Sequence, residues 1–144
     1  MAGADTAFVL DSRLAADTHA VGDLPLSRVL LMNDVRFPWL ILVPRRPGLR
    51  ELIELGRGDQ QTLLDEINRC AHVLHALERP AKLNVAALGN VVAQFHVHVI
   101  ARFTADAAWP RPVWGIGSAE PYTHDALQAR LTSLRAALRL DSVA

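Results

Sequence analysis

A chain of 144 residues that is 51% hydrophobic is long enough for a single domain whose core folds unaided, and too apolar for a disordered tail. Fifteen Lys and Arg side chains balance fifteen Asp and Glu, giving zero formal net charge, which argues against a broad basic surface for gripping nucleic acid. The single cysteine, Cys70, excludes an internal disulfide, and no apolar run approaches the roughly 20 residues that cross a bilayer. The first residues, Met1 to Thr6, lack the basic region and long apolar stretch of a signal peptide, so a cytoplasmic protein with no membrane partner is expected. Positive charge is nearly all arginine, with Lys82 the single lysine. Arginine suits bidentate phosphate recognition, although a GC-rich coding bias is the simpler account.

In chain order, residues 1–25 carry little pattern. Phe8 to Leu10 reads as a short strand or turn, and Leu14 to Val21 as including a first edge strand before Gly22-Asp23. Residues 28–32, Arg-Val-Leu-Leu-Met, read as a strand that ends at Asn33-Asp34. Residues 39–43, Trp-Leu-Ile-Leu-Val, form a second strand closed by Pro44 and Pro47, and the two pair as an antiparallel hairpin. A short helical turn follows within residues 48–55. Asp59 is the expected N-cap of a long helix whose apolar face carries Leu63, Leu64, Ile67, Cys70, Ala71, Leu74 and Leu77. Pro80 ends it. Residues 83–88 are a third strand, Gly89-Asn90 a turn, and residues 93–101 a histidine-bearing strand. The run Trp109-Pro110-Arg111-Pro112-Val113-Trp114-Gly115 is irregular, and Thr123 or His124 opens a last helix with Leu127, Leu131, Leu134 and Leu138. Hairpins with few crossovers predict an antiparallel α+β fold with one free sheet face, and exposed edge strands invite dimerisation.

The chemistry concentrates in Gln94-Phe95-His96-Val97-His98-Val99-Ile100. Alternation along a strand puts Gln94, His96 and His98 on one face and Phe95, Val97 and Val99 on the other. Neutral imidazole is a nucleophile, a general base and a metal ligand. Two on one strand face, roughly 6–7 Å apart at about 3.3 Å rise per residue, suit attack by one while the other handles a proton or an oxyanion. A metal centre would need further ligands, and no other Cys, His or carboxylate cluster has the spacing. His72 and His75 fall on the polar side of the helix. The bland alternative is that both histidines only fill a half-buried sheet face. Gly89-Asn90 permits close backbone approach and an anion-binding nest, to which Asn90 adds an amide donor. Trp109 and Trp114 either stack a base or anchor packing. Arg102 and Arg111 either contact phosphate or form surface salt bridges. Cys70 is an inert core position, and Trp39 is core.

The segment Gly89-Asn90-Val91-Val92-Ala93-Gln94-Phe95-His96-Val97-His98-Val99-Ile100 resembles the signature of the histidine triad (HIT) superfamily, three histidines alternating with apolar residues behind a Gly-Gln/Asn-x-Val segment. The likeness extends to residues 30–34 and 40–44 and the helix between, covering roughly residues 27–102. The run from Trp109 to Gly115 is similar to the tail of a bacterial subgroup. Residues 1–144 are therefore read as a single HIT domain, with an irregular segment and helix over 103–144.

The resemblance implies a HIT-like fold, a five-stranded antiparallel sheet with one main helix and a C-terminal helix, assembled as a homodimer and binding a purine nucleotide. It implies hydrolysis or transfer of a nucleoside monophosphate from nucleotide–X substrates, such as dinucleoside polyphosphates or phosphoramidates, through a nucleotidyl-histidine. By position His96 is the nucleophile, His98 contacts phosphate oxygens or the leaving group, and Gly89, Asn90 and the Val91 amide hold phosphate. Asn33 or Asp34 holds the ribose hydroxyls. No cofactor is required by the chemistry, though a divalent cation can accompany a polyphosphate substrate. The departure is Gln94, standing where the first histidine is expected. Glutamine donates and accepts hydrogen bonds but carries no proton on and off. If that position supplies acid catalysis, turnover falls by roughly 10²–10⁴-fold. The alternative function is a nucleotide-binding sensor or scaffold of weak activity.

Overall fold

Apolar runs punctuated by turn residues become five strands in the computed structural model, which describes residues 8–140; the Met1 to Thr6 stretch inspected for targeting signals lies outside them. The elements are α1 (Ser12–Asp17), β1 (Thr18–Asp23), β2 (Ser27–Met32), β3 (Trp39–Pro44), a 3-10 turn (Leu52–Glu54), α2 (Arg57–Glu78), β4 (Lys82–Ala86), β5 (Val97–Arg102) and α3 (His124–Leu138). The strands form one antiparallel sheet in the order β1-β2-β3-β5-β4. The expected α+β architecture, five antiparallel strands with a main helix and a C-terminal helix, is what the chain adopts.

Local chemistry explains where the boundaries moved. The Asp11 side chain accepts the amides of Arg13 and Leu14, which starts a short helix where an edge strand was expected and delays β1 to Thr18. Helix α2 begins two residues before Asp59, with Gly56 as its N-cap. The Asp59 carboxylate instead pairs with the Arg46 guanidinium at 2.8 Å. At the other end, Thr123 caps α3 by accepting the Ala126 amide.

The sheet does not keep a free face. Val29, Leu31, Leu40, Leu42 and Val99 pack against Cys70 and Leu74 of α2 and Leu131, Leu134 and Leu138 of α3. On the opposite face Leu30, Trp39, Ile41, Val43 and Ile100 pack under Leu14 of α1 and under Ala108 and Val113 of the segment after β5. All six residues of β3 and all six of β5 are buried, and β3 accordingly reads as a nearly continuous apolar run, whereas β5 carries His98 and Arg102 among its apolar residues.

Within α2 the apolar stripe is narrower than expected, because Leu64 and Leu77 are exposed. Its buried line is Leu63, Glu66, Cys70 and Leu74. Glu66 accepts the backbone amides of Leu26 at 2.7 Å and Ser27 at 3.0 Å, fastening the turn between β1 and β2 to the helix. Burial pushes this carboxyl group's pKa up even against those hydrogen bonds. Cys70 sits one turn further on, and burial raises its thiol to about 12, leaving it inert.

Candidate functional site

The histidine strand begins later than alternation suggested. Residues 87–96 are irregular and β5 starts at Val97, so His96 is the last residue of a loop and His98 the second of an interior strand. Phe95 anchors that loop, donating its amide to the Leu49 carbonyl at 2.9 Å and burying its ring among Leu26, Leu49, Leu55 and Leu63. His98 is then held on both sides, paired with Ile41 of β3 and Ala86 of β4.

Each imidazole has a fixed tautomer in its neutral form. The His96 Nδ1 lies 2.6 Å from the Gln94 carbonyl oxygen. A carbonyl only accepts, so Nδ1 carries the hydrogen and the lone pair is on Nε2. His98 has the opposite arrangement. Trp39 Nε1 is 2.9 Å from His98 Nδ1, and an indole only donates, so the His98 hydrogen is on Nε2. The two rings meet edge to face at 4.9 Å between centroids, and Trp114 covers His98 at the same 4.9 Å. Burial, with the neighbouring His96 ring adding to it, lowers the His98 pKa to about 3, so this ring stays neutral near physiological pH.

A cavity of about 300 Å3 opens here, lined by both histidines, the Gly89 to Val92 segment, Ile41, Met32, Trp114 and the α1 residues Arg13, Leu14 and Asp17. Gly89 has a φ of +80°, a conformation a side chain resists, which explains glycine at this turn. Asn90 and Val91 beside it are exposed. A second cavity of about 420 Å3 shares Asp17, Met32 and Trp114 and adds Asn33, Asp34, Arg36 and Trp39. Among the described residues, no group of three or more His, Cys, Asp or Glu side chains lies close enough to hold a metal ion.

The remaining expected residues divide sharply. Asp34 is buried and committed: it accepts from the Arg36 guanidinium at 2.8 and 2.9 Å and from the amides of Arg36 and Glu120. Burial alone would raise its pKa, but these donors together hold it below the usual carboxylate value. Asn33 is half-buried on the cavity wall, its Oδ1 accepting the Tyr122 amide at 3.0 Å. The Gln94 side chain does not share the histidine face: its Nε2 donates to the Val9 carbonyl and its Oε1 accepts the Asp11 amide, both at 2.9 Å. The backbone at residue 94 is a bend, so the two-residue period breaks before reaching it. Arg102 is neither a phosphate contact nor a surface ion pair. It is 2% exposed and bound by Asp106 at 2.8 Å, by Asn84 and by the Arg111 carbonyl.

Trp39 and Trp114 are the site residues that sequence reasoning undervalued. Trp39 occupies a core position, as expected, yet its ring N–H is what sets the His98 tautomer. The available signal was parity: Trp39 and Ile41 share a β3 face, and Ile41 pairs with His98.

The comparisons with known proteins bear on the family and the fold. A family model described as HIT domain matches residues 13–105. Among solved structures, a histidine triad protein from Bradyrhizobium japonicum is 48% identical with a TM-score of 0.89, over 92% of this chain and 98% of that one. One from Marinobacter aquaeolei is 47% identical at a TM-score of 0.89, over 92% and 96%. One from Sinorhizobium meliloti is 45% identical at 0.88, over 91% and 97%. No functionally curated protein matches the chain.

Proposed function

The chain belongs to the HIT domain family, and from that premise we propose that it is a nucleotide hydrolase or transferase that cleaves nucleoside monophosphate from nucleotide–X substrates through a covalent intermediate on His96. One observation carries the proposal. The hydrogen bond from His96 Nδ1 to the Gln94 carbonyl leaves Nε2 with its lone pair in a ring that borders a cavity with the Gly89 to Val92 turn.

The steps follow from the tautomers. His96 Nε2 forms a bond to the α-phosphorus, the bond from phosphorus to X breaks, and the electron pair departs with X. The ring becomes a nucleotidyl-imidazolium, and its positive charge is stabilised by the Nδ1–H hydrogen bond to the Gln94 carbonyl. Water then attacks phosphorus, the N–P bond breaks with its pair returning to Nε2, and a proton is released to solvent. His98, neutral and carrying its hydrogen on Nε2, donates a hydrogen bond to a phosphate oxygen or to the leaving atom. Backbone amides at Gly89 to Val91 and the Asn90 amide group take the remaining phosphate charge.

The purine nucleotide itself is part of the proposal, with Asn33 rather than Asp34 meeting the ribose. Both residues line the second cavity; the Asp34 carboxylate is spent on Arg36 and the Glu120 amide, whereas Asn33, with its Oδ1 on the Tyr122 amide, also carries side-chain N–H donors for a ribose hydroxyl oxygen. The chemistry written here draws on no cofactor, and a divalent cation enters only as the companion of a polyphosphate substrate. A homodimer remains part of the reading, with β1 and β4 as the outer strands of the sheet; sedimentation velocity tests it.

The deciding experiment incubates the protein with diadenosine tetraphosphate and with an adenosine phosphoramidate, beside His96→Ala, and quantifies released AMP. Release that falls at least about 10³-fold in the variant supports the covalent route, and undiminished release in the variant overturns it. A second reading, a nucleotide sensor of weak activity, draws on the neutrality of His98 and the commitment of Gln94 to backbone groups. Tight AMP binding without turnover would select it.

A further inference from the structure

Gln94 stands between the nucleophile and a wall of the cavity. Its main chain serves one and its side chain the other. The carbonyl oxygen accepts the His96 Nδ1–H, while the side-chain amide reaches residues more than eighty positions earlier in the chain. The partners fix the amide's orientation, since the Val9 carbonyl only accepts and the Asp11 amide only donates. Asp11 in turn caps α1, its carboxylate accepting the amides of Arg13 and Leu14. From α1 come Arg13, Leu14 and Asp17, which line the histidine cavity. Arg13 and Asp17 lie 3.9 Å apart on exposed side chains.

We infer that Gln94 is a positioning residue, a strap that holds residues 9–11 and thereby α1 over the histidine cavity, so that it governs substrate affinity rather than the phosphoryl chemistry. The inference rests on the hydrolase reading for its kinetic consequence, while the strap itself stands on the two hydrogen bonds. Glutamine suits the task because one side-chain end presents a donor and an acceptor side by side, matching a carbonyl and an amide two residues apart. A histidine would present its donor and acceptor in divergent directions from a rigid ring. Replacing Gln94 with the histidine of the family signature therefore costs the strap.

The test uses the full chain with Gln94→Ala, Gln94→Met and Gln94→His, read by amide hydrogen exchange and by steady-state kinetics on diadenosine tetraphosphate. Exchange at the Asp11 amide and across α1 is expected to quicken about tenfold in Gln94→Ala and Gln94→Met, with β5 amides unchanged. KM is expected to rise about tenfold while kcat stays within about threefold, because the carbonyl that orients His96 is retained in every variant. Deleting residues 1–10 should raise KM similarly in the wild type and add nothing in Gln94→Ala. A fall in kcat at constant KM, unaltered protection of Asp11, or a rise in kcat in Gln94→His with α1 still protected would overturn the inference. Should the wild type hydrolyse nothing, AMP binding replaces KM. Weaker binding with lost α1 protection then upholds the strap while the hydrolase reading fails, and unchanged binding and protection overturn the strap.

Discussion

Strand β5 buries two polar side chains on one face, His98 and Arg102, at 4% and 2% exposure, and the fold treats them in opposite ways. Arg102 has five N–H donors. The carboxylate of Asp106, the Asn84 side chain and the Arg111 carbonyl take nearly all of them. Asp106 also accepts the amides of Phe103, Ala108 and Trp109, so the pair ties β5 to the loop that covers the sheet. His98 spends one ring nitrogen on Trp39 and keeps the other for the cavity it lines. Burial alone thus does not identify a working residue. What separates the two is the hydrogen-bonding capacity left over: at one end of the strand it is nearly used up, while at the other a ring nitrogen remains for the chemistry proposed above.

The largest effect that would break this contrast is at the saturated end. Asp106→Ala leaves a buried guanidinium without its carboxylate, and should cost about 3–5 kcal/mol of unfolding free energy in denaturant titrations. Burial on its own would raise the Asp106 pKa, but Arg102 and the three amides hold it well below the ordinary carboxylate value. A depressed acid contributes stability that is complete above its unfolded pKa and drains as pH falls below about 4. The acid slope of wild-type stability should therefore flatten in the variant. A stable Asp106→Ala with an unchanged slope would erase the distinction drawn between the two ends.

At the reserved end, Trp39→Phe keeps an aromatic ring but removes the donor to His98. Turnover near neutral pH should fall about tenfold. The acid limb of kcat should also move to higher pH, because the indole donor that occupies the Nδ1 lone pair is gone, leaving burial and the His96 ring to oppose a proton there. In the wild type the His98 pKa is lowered to about 3. Between that value and about 6.5 the unfolded chain takes up a proton the folded chain refuses. Stability should consequently decline as pH drops through that window, and less so in the variant. The smallest effect separates neighbours. Asn33→Ala should raise KM several-fold with about 1 kcal/mol lost in stability, whereas Asp34→Asn should act mainly on melting, since its buried carboxylate pairs with the half-buried Arg36.

The elements that rest on local pattern were legible in the sequence. Residues 28–32 and 39–43 gave β2 and β3 within a residue at each end, and the leucines of α3 gave its buried stripe. The histidine pair was legible because alternation holds from His96 to Arg102. It failed one step earlier, at Gln94, because the loop from Leu88 to Phe95 is shaped by contacts with Leu49, Val9 and Asp11 that no local period encodes. Glu66 was missed although it lies three residues after Leu63 and four before Cys70, the spacing of a buried stripe. A charge at that place signals a buried partner rather than a break in the pattern. Arg102 was misread for the opposite reason: its carboxylate lies beyond the strand, in a loop whose course only tertiary packing sets.

The sheet order has one more consequence. Because β5 runs between β3 and β4, His98 rides on an interior strand, whereas His96 closes the irregular stretch of residues 87–96, which with α1 walls the cavity. A protein engineer can therefore randomise α1 and residues 88–92 to alter what is bound, provided that Gln94 to His96 is left intact, since the loop's own carbonyl holds one imidazole while the interior strand holds the other.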